Sequence, residues 1–435
     1  MALSTQPYKG ARDFYPEDKR FQKYMFGKLR QVAERFGYEE YDAPILESID
    51  LYLAKSGSEI VNEQTYVFKD RADREVVIRP EMTPSASRMV AGRRQELGYP
   101  LRWYSIPNLW RYERPQRGRL REHWQLNVDV FGLPGIEAEV ELIQLSSAIF
   151  KSFGATPAMY EIRLNSRKLM DFALHNYLGL TEVEAYSMAK LIDRMHKIDR
   201  TEFIGLADAV LSPSEREAGA VEKLLKVLDA RRLSDLPALL VAHESVVALQ
   251  KLLDSLTTSQ ISNVRFDPTI MRGFDYYTDI VFEVVDLHPD NNRSMMGGGR
   301  YDGLVGLFGV DPVPTVGFGL GDVTLQNFIE LHDLLPKLRS ESDVYLATIG
   351  DVAAGAQLAV AQLREMGVNV AVGATGRKLA DHFKLAEKKH IHYVVIVGEQ
   401  ELASEQYTLK NLQTTESALH SLPRIVSIVK DYRAS

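Results

Sequence analysis

Three strand-like segments follow one another between residues 102 and 131: Arg102-Trp-Tyr-Ser-Ile-Pro107, Asn108-Leu-Trp-Arg-Tyr-Glu113 and His123-Trp-Gln-Leu-Asn-Val-Asp-Val-Phe131. Two similar segments precede them, at residues 65–69 and 76–79. The connections are short and polar, and no regular helical pattern separates most of these segments. Short turns can join antiparallel strands, whereas parallel strands need a long crossover. The sequence therefore predicts an antiparallel sheet.

Helical patterns lie on both sides of these strands. A helix is predicted near residues 19–36, and Gly37 ends it. From about residue 166 to 256, apolar residues repeat at i, i+3, i+4 and i+7 without any strand pattern. Strand-like sequence resumes at residues 264–267. The helical stretch interrupts the β-rich part, which predicts an inserted helical domain.

The C-terminal part has a third pattern. Short apolar strands are predicted at residues 344–349, 368–372 and 393–397, and they alternate with helical patterns at 353–366 and 377–389. Such alternation is typical of a small α/β domain with a mostly parallel sheet. The predicted organisation is an α+β sheet domain at residues 1–165 and 261–335, a helical insertion at 166–260 and a C-terminal α/β domain at 343–435.

The composition excludes several classes of protein. With 435 residues, 45% hydrophobic and 26% charged, the chain is typical of a globular protein of two or three domains. A net charge of -7 argues against non-specific coating of nucleic acid. The absence of cysteine excludes disulfides and thiolate metal sites. No signal peptide or apolar run of about 20 residues is found, so we expect a soluble, cytoplasmic protein with no membrane partner.

Five arginines lie within residues 111–121: Arg111, Arg114, Arg117, Arg119 and Arg121. A single loop arginine is usually a solvated surface charge. Five together repel one another, and an anion between them would reduce this repulsion. Guanidinium groups match phosphate oxygens bidentately, so the run predicts a nucleotide phosphate or a nucleic-acid backbone as its ligand. Gln116, within the run, is suited to read a base edge or a ribose.

Two other segments combine charged and polar side chains. Arg272-Gly-Phe-Asp-Tyr-Tyr-Thr278 precedes a strand-like segment at residues 280–285. Together with the arginine run, it indicates a site for a phosphate ester and a small polar substrate. Arg79-Pro-Glu-Met-Thr83 ends a strand ahead of a helical pattern. Glu81 and Thr83 are equally suited to cap that helix or to bind a ligand ammonium group.

The remaining motifs give weaker evidence. Gly297-Gly-Gly-Arg-Tyr-Asp-Gly303 lacks the spacing of a dinucleotide-binding loop, and a tight turn explains its glycines equally well. Gly317-Phe-Gly-Leu-Gly321 indicates either close backbone approach to a flat group or helix packing. The histidines form no HExxH pattern or ligand-like cluster, so no metal site is predicted. No Gly-x-Ser-x-Gly elbow of a serine hydrolase is present.

Four of the segments described above resemble, in order and context, the signature segments of histidyl-tRNA synthetases, a family of class II aminoacyl-tRNA synthetases. They are Arg79–Thr83, Arg111–Phe131, Arg272–Thr278 and Gly297–Gly303. Two further segments are similar to that family: Lys9-Gly-Ala-Arg-Asp-Phe-Tyr-Pro16, and Gly37-Tyr-Glu-Glu-Tyr-Asp-Ala-Pro44, which resembles class II motif 1 at the dimer interface. The resemblance implies a class II catalytic domain at residues 1–165 and 261–335. It also implies an anticodon-binding domain at 343–435 and a homodimer.

The resemblance implies ATP-dependent activation of L-histidine to histidyl-adenylate, and transfer of the histidyl group to tRNA(His). Its implied substrates and cofactors are ATP and Mg²⁺. Arg111 and Arg272 match the catalytic arginines, while Arg111 and Glu113 match residues that bind ATP. Gln116 and Arg119 would contact the acceptor stem of the tRNA.

The implied histidine-binding residues come from three separate segments: Glu81, Thr83, Gln125, Asp129, Arg272, Tyr276 and Tyr277. Of these, Glu81, Thr83 and Gln125 match the positions that hold the α-ammonium group. Asp129 and Tyr277 match the positions that face the imidazole. A carboxylate on one ring nitrogen and a phenol on the other would favour histidine over an apolar mimic.

The chain departs from the family pattern at three positions. Asp129 stands where many members have glutamate, and Met82 stands where glycine is frequent. Thr324 occupies the place of the motif 3 arginine that stacks on adenine. If that function is retained, another cation should lie near Thr324.

Two alternatives to a synthetase were weighed. One is a paralogue resembling the regulatory subunit of ATP phosphoribosyltransferase, which the missing motif 3 arginine favours slightly. Arg111, Arg272 and the C-terminal α/β domain oppose it more strongly. The other is a tRNA-binding or sensor module without catalysis. It predicts loss of the small-molecule residues, whereas Glu81, Gln125 and Tyr277 are present.

Overall fold

The computed structural model describes residues 3–53, 64–271, 276–291 and 293–434. The chain forms two compact units, Met1–Leu335 and Pro336–Ser435. Within the described residues, none of the helices combines the length and the apolar character needed to cross a membrane.

A nine-stranded sheet lies at the centre of the first unit. The strands of this unit are, in chain order, β1 (Glu39–Glu40), β2 (Leu46–Ser48), β3 (Tyr66–Lys69), β4 (Glu75–Ile78), β5 (Leu101–Ser105), β6 (Asn108–Trp110), β7 (Glu122–Phe131), β8 (Tyr160–Ser166), β9 (Val264–Phe266), β10 (Ile280–Asp286), β11 (Ser294–Arg300) and β12 (Thr315–Gly321). The order in the large sheet is β1-β5-β7-β12-β11-β10-β8-β9, with β6 paired to β7. The edge pairs β1–β5 and β8–β9 are parallel and the other pairs are antiparallel. The antiparallel sheet that the sequence predicted is confirmed.

The helices of the first unit flank this sheet. Their bounds are Pro16–Arg35, Asp50–Leu53, Thr83–Gly92, Glu137–Ser152, Arg167–Phe172, Glu182–Asp193, Arg200–Val210, Pro213–Glu217, Ala220–Leu228, Ala238–Val241, Glu244–Thr258 and Asp322–Leu331. The first helix has proline at its first position and acidic residues in its first turn, both of which favour helix initiation. It ends just before Gly37, whose φ of 81° suits glycine. The predicted helix near residues 19–36 is confirmed.

The segment between residues 166 and 260 is helical, as its periodicity indicated. Leu224 and Leu228 lie on the buried face of one helix, and Leu249 and Leu252 lie on the buried face of another. These side chains belong to the same apolar core as the residues of the large sheet. The helices and the sheet therefore stabilise each other within one unit, and a separate helical domain stays a prediction.

The glycine-rich segments form strands rather than tight turns. Gly297, Gly298 and Gly299 lie in β11, whose neighbour β12 contains Gly317. A Cβ atom on Gly298 would lie 2.3 Å from the carbonyl oxygen of Gly317. One on Gly299 would lie 2.8 Å from the ring of Tyr277. Glycine is needed here because neighbouring groups lie directly against the strand backbone.

Three strands form a separate small antiparallel sheet in the first unit, in the order β2-β4-β3. Its first strand begins two residues after the segment Gly37–Pro44. Several of its apolar side chains are exposed, including those of Leu46, Val67 and Phe68. Exposed apolar surface of this kind is typical of an interaction site.

The second unit contains a five-stranded sheet in the order β14-β13-β15-β16-β17. Its strands are β13 (Val344–Thr348), β14 (Val370–Val372), β15 (Tyr393–Val397), β16 (Tyr407–Asn411) and β17 (Ser417–His420), and its helices are Ala353–Glu365, Leu379–Lys388, Glu399–Ser404 and Leu422–Ala434. The three predicted strands are parallel, which confirms the α/β pattern. β16 and β17 extend the sheet in antiparallel fashion and were not predicted, because neither is a continuous apolar run.

Candidate functional site

A cavity lies on the large sheet beside β7, β11 and β12. Its volume is about 490 Å³ when the space open to solvent is included. The lining residues are Glu81, Thr83, Arg111, Gln125, Asn127, Tyr276, Tyr277, Gly297, Tyr301, Gly317, Phe318 and Gly319. Residues predicted from three distant parts of the sequence therefore meet in one cavity.

Side chains alternate between the two faces of strand β7, and polar residues of the strand lie together on one face. Gln125, Asn127 and Asp129 are two residues apart, so their side chains lie on the same face of the strand. Asp129 and Asn127 pair across the sheet with Gly317 and Gly319. A Cβ atom on Gly319 would lie 2.7 Å from the side-chain amide carbon of Gln125. The glycines of β12 thus leave room for the β7 side chains to lie over the neighbouring strand.

Glu81 supplies a buried carboxylate to this cavity. Its side chain is only 3% exposed, and its Oε2 accepts a hydrogen bond of 3.2 Å from the hydroxyl of Tyr276. Thr83 follows at the first position of the helix Thr83–Gly92, whose N-cap is Met82. Met82 makes no capping hydrogen bond, and neither Glu81 nor Thr83 occupies the N-cap. The N-cap position therefore belongs to neither residue, while Thr83 lies in the first turn of the helix.

Asp129 lies beneath the cavity, behind Tyr301. It is 2% exposed, and its Oδ1 accepts a hydrogen bond from the Tyr301 hydroxyl. Its Oδ1 lies 2.0 Å from where a Cβ atom of Gly317 would be. Burial raises the pKa of Asp129 from 3.8 to about 7, although the hydrogen bond from Tyr301 opposes this shift. The phenol of Tyr301, rather than Asp129 itself, lines the cavity.

The raised pKa of Asp129 predicts how the stability of the folded protein depends on pH. Because the folded state raises the pKa of Asp129, it binds the proton more tightly than the unfolded state, and stability is lost as the pH rises through the folded pKa. Between about pH 5 and about pH 8, we expect the wild type to lose about 3 kcal/mol more unfolding free energy than Asp129→Asn. Urea unfolding of both proteins at the two pH values measures this difference. Parallel pH profiles would contradict the burial-raised pKa.

Residues 111–121, which we call the arginine arm, border the cavity at its other end. Arg111 Nε donates a 2.8 Å hydrogen bond to the carbonyl of Pro80. Glu113 forms a 3.1 Å ion pair with Arg119. Gln116 and Arg119 exchange two backbone hydrogen bonds of 2.9 Å, which close the tip of the arm. Of these four predicted residues, only Arg111 lines the cavity.

Several arginines lie around the base of the arm. His123 begins the polar face of β7 that continues into the cavity. Burial lowers its pKa to about 3, and the positive charges of Arg111, Arg12 and Arg119 lower it further. His123 therefore stays neutral at physiological pH. Arg12 and Arg119 form ion pairs with carboxylates, whereas Arg111 lines the cavity, where its charge favours an anionic ligand.

The sequence also predicted a catalytic role for Arg272 and a cation near Thr324. Arg272 lies outside the described residues. The Thr324 hydroxyl donates 3.0 Å hydrogen bonds to the carbonyls of Met295 and Gly321. An ion pair of 2.6 Å brings Arg12 to Asp322, on the same turn as Thr324. Arg12 therefore lies at the start of the helix that carries Thr324, and the predicted replacement of the motif 3 arginine stays a prediction.

Sequence reasoning missed two polar lining residues, Asn127 and Tyr301. Asn127 could have been found from the alternation along β7, which places it between two predicted residues. Tyr301 lies in the glycine-rich segment, but its contact with Asp129 depends on a strand pairing that the sequence does not reveal.

Comparisons with known proteins identify the family of this chain. A model of the histidyl-tRNA synthetase family matches residues 10–323, and a model of the anticodon-binding domain matches residues 343–432. The histidine–tRNA ligase of Leptospira biflexa is 41% identical over 433 residues, which cover 99% of this chain and 98% of that relative. The chain belongs to the histidyl-tRNA synthetase family.

Other histidine–tRNA ligases are similar over their full length. That of Thermoplasma volcanium is 36% identical over 98% of this chain and 99% of its own. The crystal structure of histidyl-tRNA synthetase from Nostoc sp. PCC 7120 has the same fold, with a TM-score of 0.82 and 22% identity over 99% of this chain and 100% of that one.

A structure described as an ATP phosphoribosyltransferase regulatory subunit/histidyl-tRNA synthetase, from Bacillus halodurans C, also has this fold. Its TM-score is 0.72, with 22% identity over 92% of this chain and 99% of that one. At that identity the likeness concerns the fold alone. Membership of the synthetase family, with relatives named as ligases at 41% and 36% identity, does not favour the regulatory alternative.

Proposed function

We propose that this synthetase-family enzyme activates L-histidine with ATP and transfers the histidyl group to tRNA(His). The observation that carries the proposal is the convergence of a buried carboxylate, two tyrosines, an amide and an arginine on one cavity: Glu81, Tyr276, Tyr277, Gln125 and Arg111. These groups suit a substrate with an ammonium group, a polar ring and an adjacent phosphate.

The α-ammonium group of histidine would lie between Glu81, Thr83 and Gln125. A buried carboxylate attracts a cation more strongly than an exposed one, so Glu81 is suited to a ligand ammonium group. The imidazole would lie toward Tyr277 and Tyr301. Because Tyr301 donates its proton to Asp129, its oxygen is free to accept a hydrogen bond from a ring N–H. Asp129 would then orient the Tyr301 hydroxyl that contacts the imidazole. Tyr276 would orient the carboxylate of Glu81 through their hydrogen bond.

The arginine arm would bind ATP. The histidine carboxylate attacks the α-phosphorus, the bond to the pyrophosphate leaving group breaks, and negative charge grows on the α-phosphate oxygens. Arg111, held by the carbonyl of Pro80, would stabilise that charge from a fixed position. Arg272 is proposed as the second catalytic cation from its sequence context. Glu113 would accept a hydrogen bond from the adenine amino group.

Mg²⁺ is proposed to accompany ATP. Among the described residues, no group of three or more His, Cys, Asp or Glu side chains is placed to hold a metal ion. This fits Mg²⁺, which is commonly bound by substrate phosphates, waters and one or two carboxylates. The ion would neutralise negative charge on the pyrophosphate leaving group.

Contacts with tRNA are proposed at two places. Gln116 and Arg119 at the tip of the arm would meet the acceptor stem, since both are exposed. The second unit would bind the anticodon, in line with the family match at residues 343–432. The proposed boundaries are 1–165 and 261–335 for catalysis, 166–260 for the helical insertion and 343–435 for anticodon binding. A cytoplasmic location, where charged tRNA is used, belongs to the same proposal.

A homodimer is proposed through the small sheet β2-β4-β3. Phe68 is 45% exposed there, and we expect Phe68→Asp to convert the dimer to monomers because a charge would be buried at the interface. Sedimentation velocity measures the change. Leu419→Asp, at a residue 60% exposed in the second unit, is the matched control and should remain dimeric. A monomeric wild type at micromolar concentration would overturn this proposal.

Histidine-dependent exchange between ATP and labelled pyrophosphate tests the first step. The purified protein should catalyse exchange with histidine and not with phenylalanine, which cannot pair with Tyr277 and Tyr301. Absence of exchange at saturating histidine would refute the proposal.

A further inference from the structure

The N-terminal segment crosses the base of the arginine arm. The carbonyl of Gly10 accepts backbone hydrogen bonds from Arg121 and Glu122, of 2.9 and 3.1 Å. These two residues form the return side of the arm and lie about 110 positions further along the chain. The contact therefore joins two distant segments through their backbone atoms.

Arg121 fills the junction between this segment and the arm. Its Nη1 donates a 3.0 Å hydrogen bond to the hydroxyl of Tyr8, and its Nε donates one of 3.2 Å to the carbonyl of Glu113. The guanidinium carbon lies 4.0 Å from the ring centre of Tyr112. The backbone carbonyl of Arg121 accepts a 2.8 Å hydrogen bond from the N–H of Arg111. One side chain thus contacts both strands of the arm and the N-terminal segment.

Gly10 is required for this arrangement on two counts. Its φ is +87°, which disfavours any residue with a side chain. A Cβ atom there would also lie 2.7 Å from Cγ and 2.9 Å from Cβ of Arg121. The side chain of Arg121 therefore lies flat across Gly10, in the space that any other residue would fill.

The same segment is anchored at its other end. Arg12 forms a 2.6 Å ion pair with Asp322, the first residue of the helix Asp322–Leu331. The second carboxylate oxygen of Asp322 accepts a 3.0 Å hydrogen bond from the N–H of Trp124. Asp322 is 3% exposed, so this pair is largely shielded from water. The segment is tied to the arm at Tyr8 and Gly10, and to this helix at Arg12.

We propose that residues 8–12 form a strap, and that Arg121 is a positioning residue that acts with the strap to hold Arg111 and Glu113 toward ATP. Arg121 does not itself touch the substrate. The proposal rests on the proposed function in one respect, the binding of ATP by the arm. It predicts that loosening the strap weakens ATP binding and leaves histidine binding unchanged, because Glu81 and Tyr276 make no part of the strap.

Gly10→Ala tests the strap, with Gly179→Ala as the matched control. Gly179 has a φ of +80° but no atom within 4 Å of its would-be Cβ, so both variants carry the same backbone strain and only Gly10→Ala displaces Arg121. In pyrophosphate exchange, Gly10→Ala should raise the KM for ATP about tenfold and change the KM for histidine less than about twofold. Gly179→Ala should leave both values as in the wild type.

Two milder variants address the same point if Gly10→Ala does not fold. Tyr8→Phe removes only the hydroxyl that accepts from Arg121, and should raise the KM for ATP by a smaller factor. Arg121→Lys should restore part of the ATP affinity that Arg121→Ala loses. An unchanged KM for ATP in all of these, or equal increases in both KM values, would overturn the strap. If the wild type shows no exchange, the proposed function fails, and calorimetric titration with ATP then tests the strap by the same comparison of variants.

Discussion

Replacing Arg111 by alanine should reduce the rate of histidine-dependent pyrophosphate exchange by a factor of about 10²–10³. The expected loss is large because Arg111 is a cavity-lining cation whose orientation is fixed by its bond to Pro80. Pre-oriented charge stabilises the transition state without a reorganisation cost. The measurement is exchange at saturating ATP and histidine, which separates the chemical step from substrate binding.

Two further variants sharpen the test of Arg111. Arg111→Lys keeps the charge but loses the planar fork, so its rate should fall between those of the wild type and the alanine variant. Arg231→Ala is the control, because Arg231 is exposed in the helical segment and belongs neither to the arm nor to the cavity lining. A rate close to wild type in Arg111→Ala would remove this residue from the mechanism.

Glu81→Gln should raise the KM for histidine about 100-fold and leave the KM for ATP nearly unchanged. The substitution keeps the shape of the side chain and removes its charge. A buried carboxylate that pairs with a ligand ammonium group contributes far more than an exposed one, because solvent does not screen it. The 3% exposure of Glu81 puts it in this category.

Two substrate analogues show which end of the ligand Glu81 binds. Histidinol keeps the ammonium group, whereas 3-(imidazol-4-yl)propionate lacks it. The Glu81→Gln variant should lose affinity for histidinol and retain its affinity for the propionate, measured as competitive inhibition of exchange. Equal losses for both analogues would contradict the assignment of Glu81 to the ammonium group.

Much of the architecture could be predicted because it depends on local patterns. The helix Pro16–Arg35 follows from its apolar periodicity and the glycine after it. The apolar runs that became β13 and β15 have the composition of buried parallel strands. β17 was missed because it is a short edge strand with three exposed residues, so its sequence lacks the burial signal.

The candidate site could be predicted only in part, because strand pairing is a property of the whole fold. Glu81 and Tyr276 were identified separately, and their hydrogen bond follows from long-range packing. The assignment of Asp129 to the imidazole stays a prediction; the hydroxyl of Tyr301, which lines the cavity, is hydrogen-bonded to Asp129. Neither residue carries a local signal of this contact, since they are joined only when β12 places Gly317 beside them.

The position of Thr324 illustrates the same limit. The sequence indicated that a cation was missing there, and could not indicate where a replacement would come from. In the fold, Arg12 in the N-terminal segment reaches the start of the same helix. The contact spans more than three hundred residues of sequence and depends on the course of the N-terminal segment.

Transfer of labelled histidine to tRNA(His) by the purified protein tests the central claim most directly. With ATP and Mg²⁺ present, acid-precipitable label should accumulate until nearly every tRNA molecule carries one histidyl group. The Arg111→Ala variant should not reach that level in the same time. Pyrophosphate exchange without any charging of the tRNA, or charging with another amino acid at a comparable rate, would contradict the account.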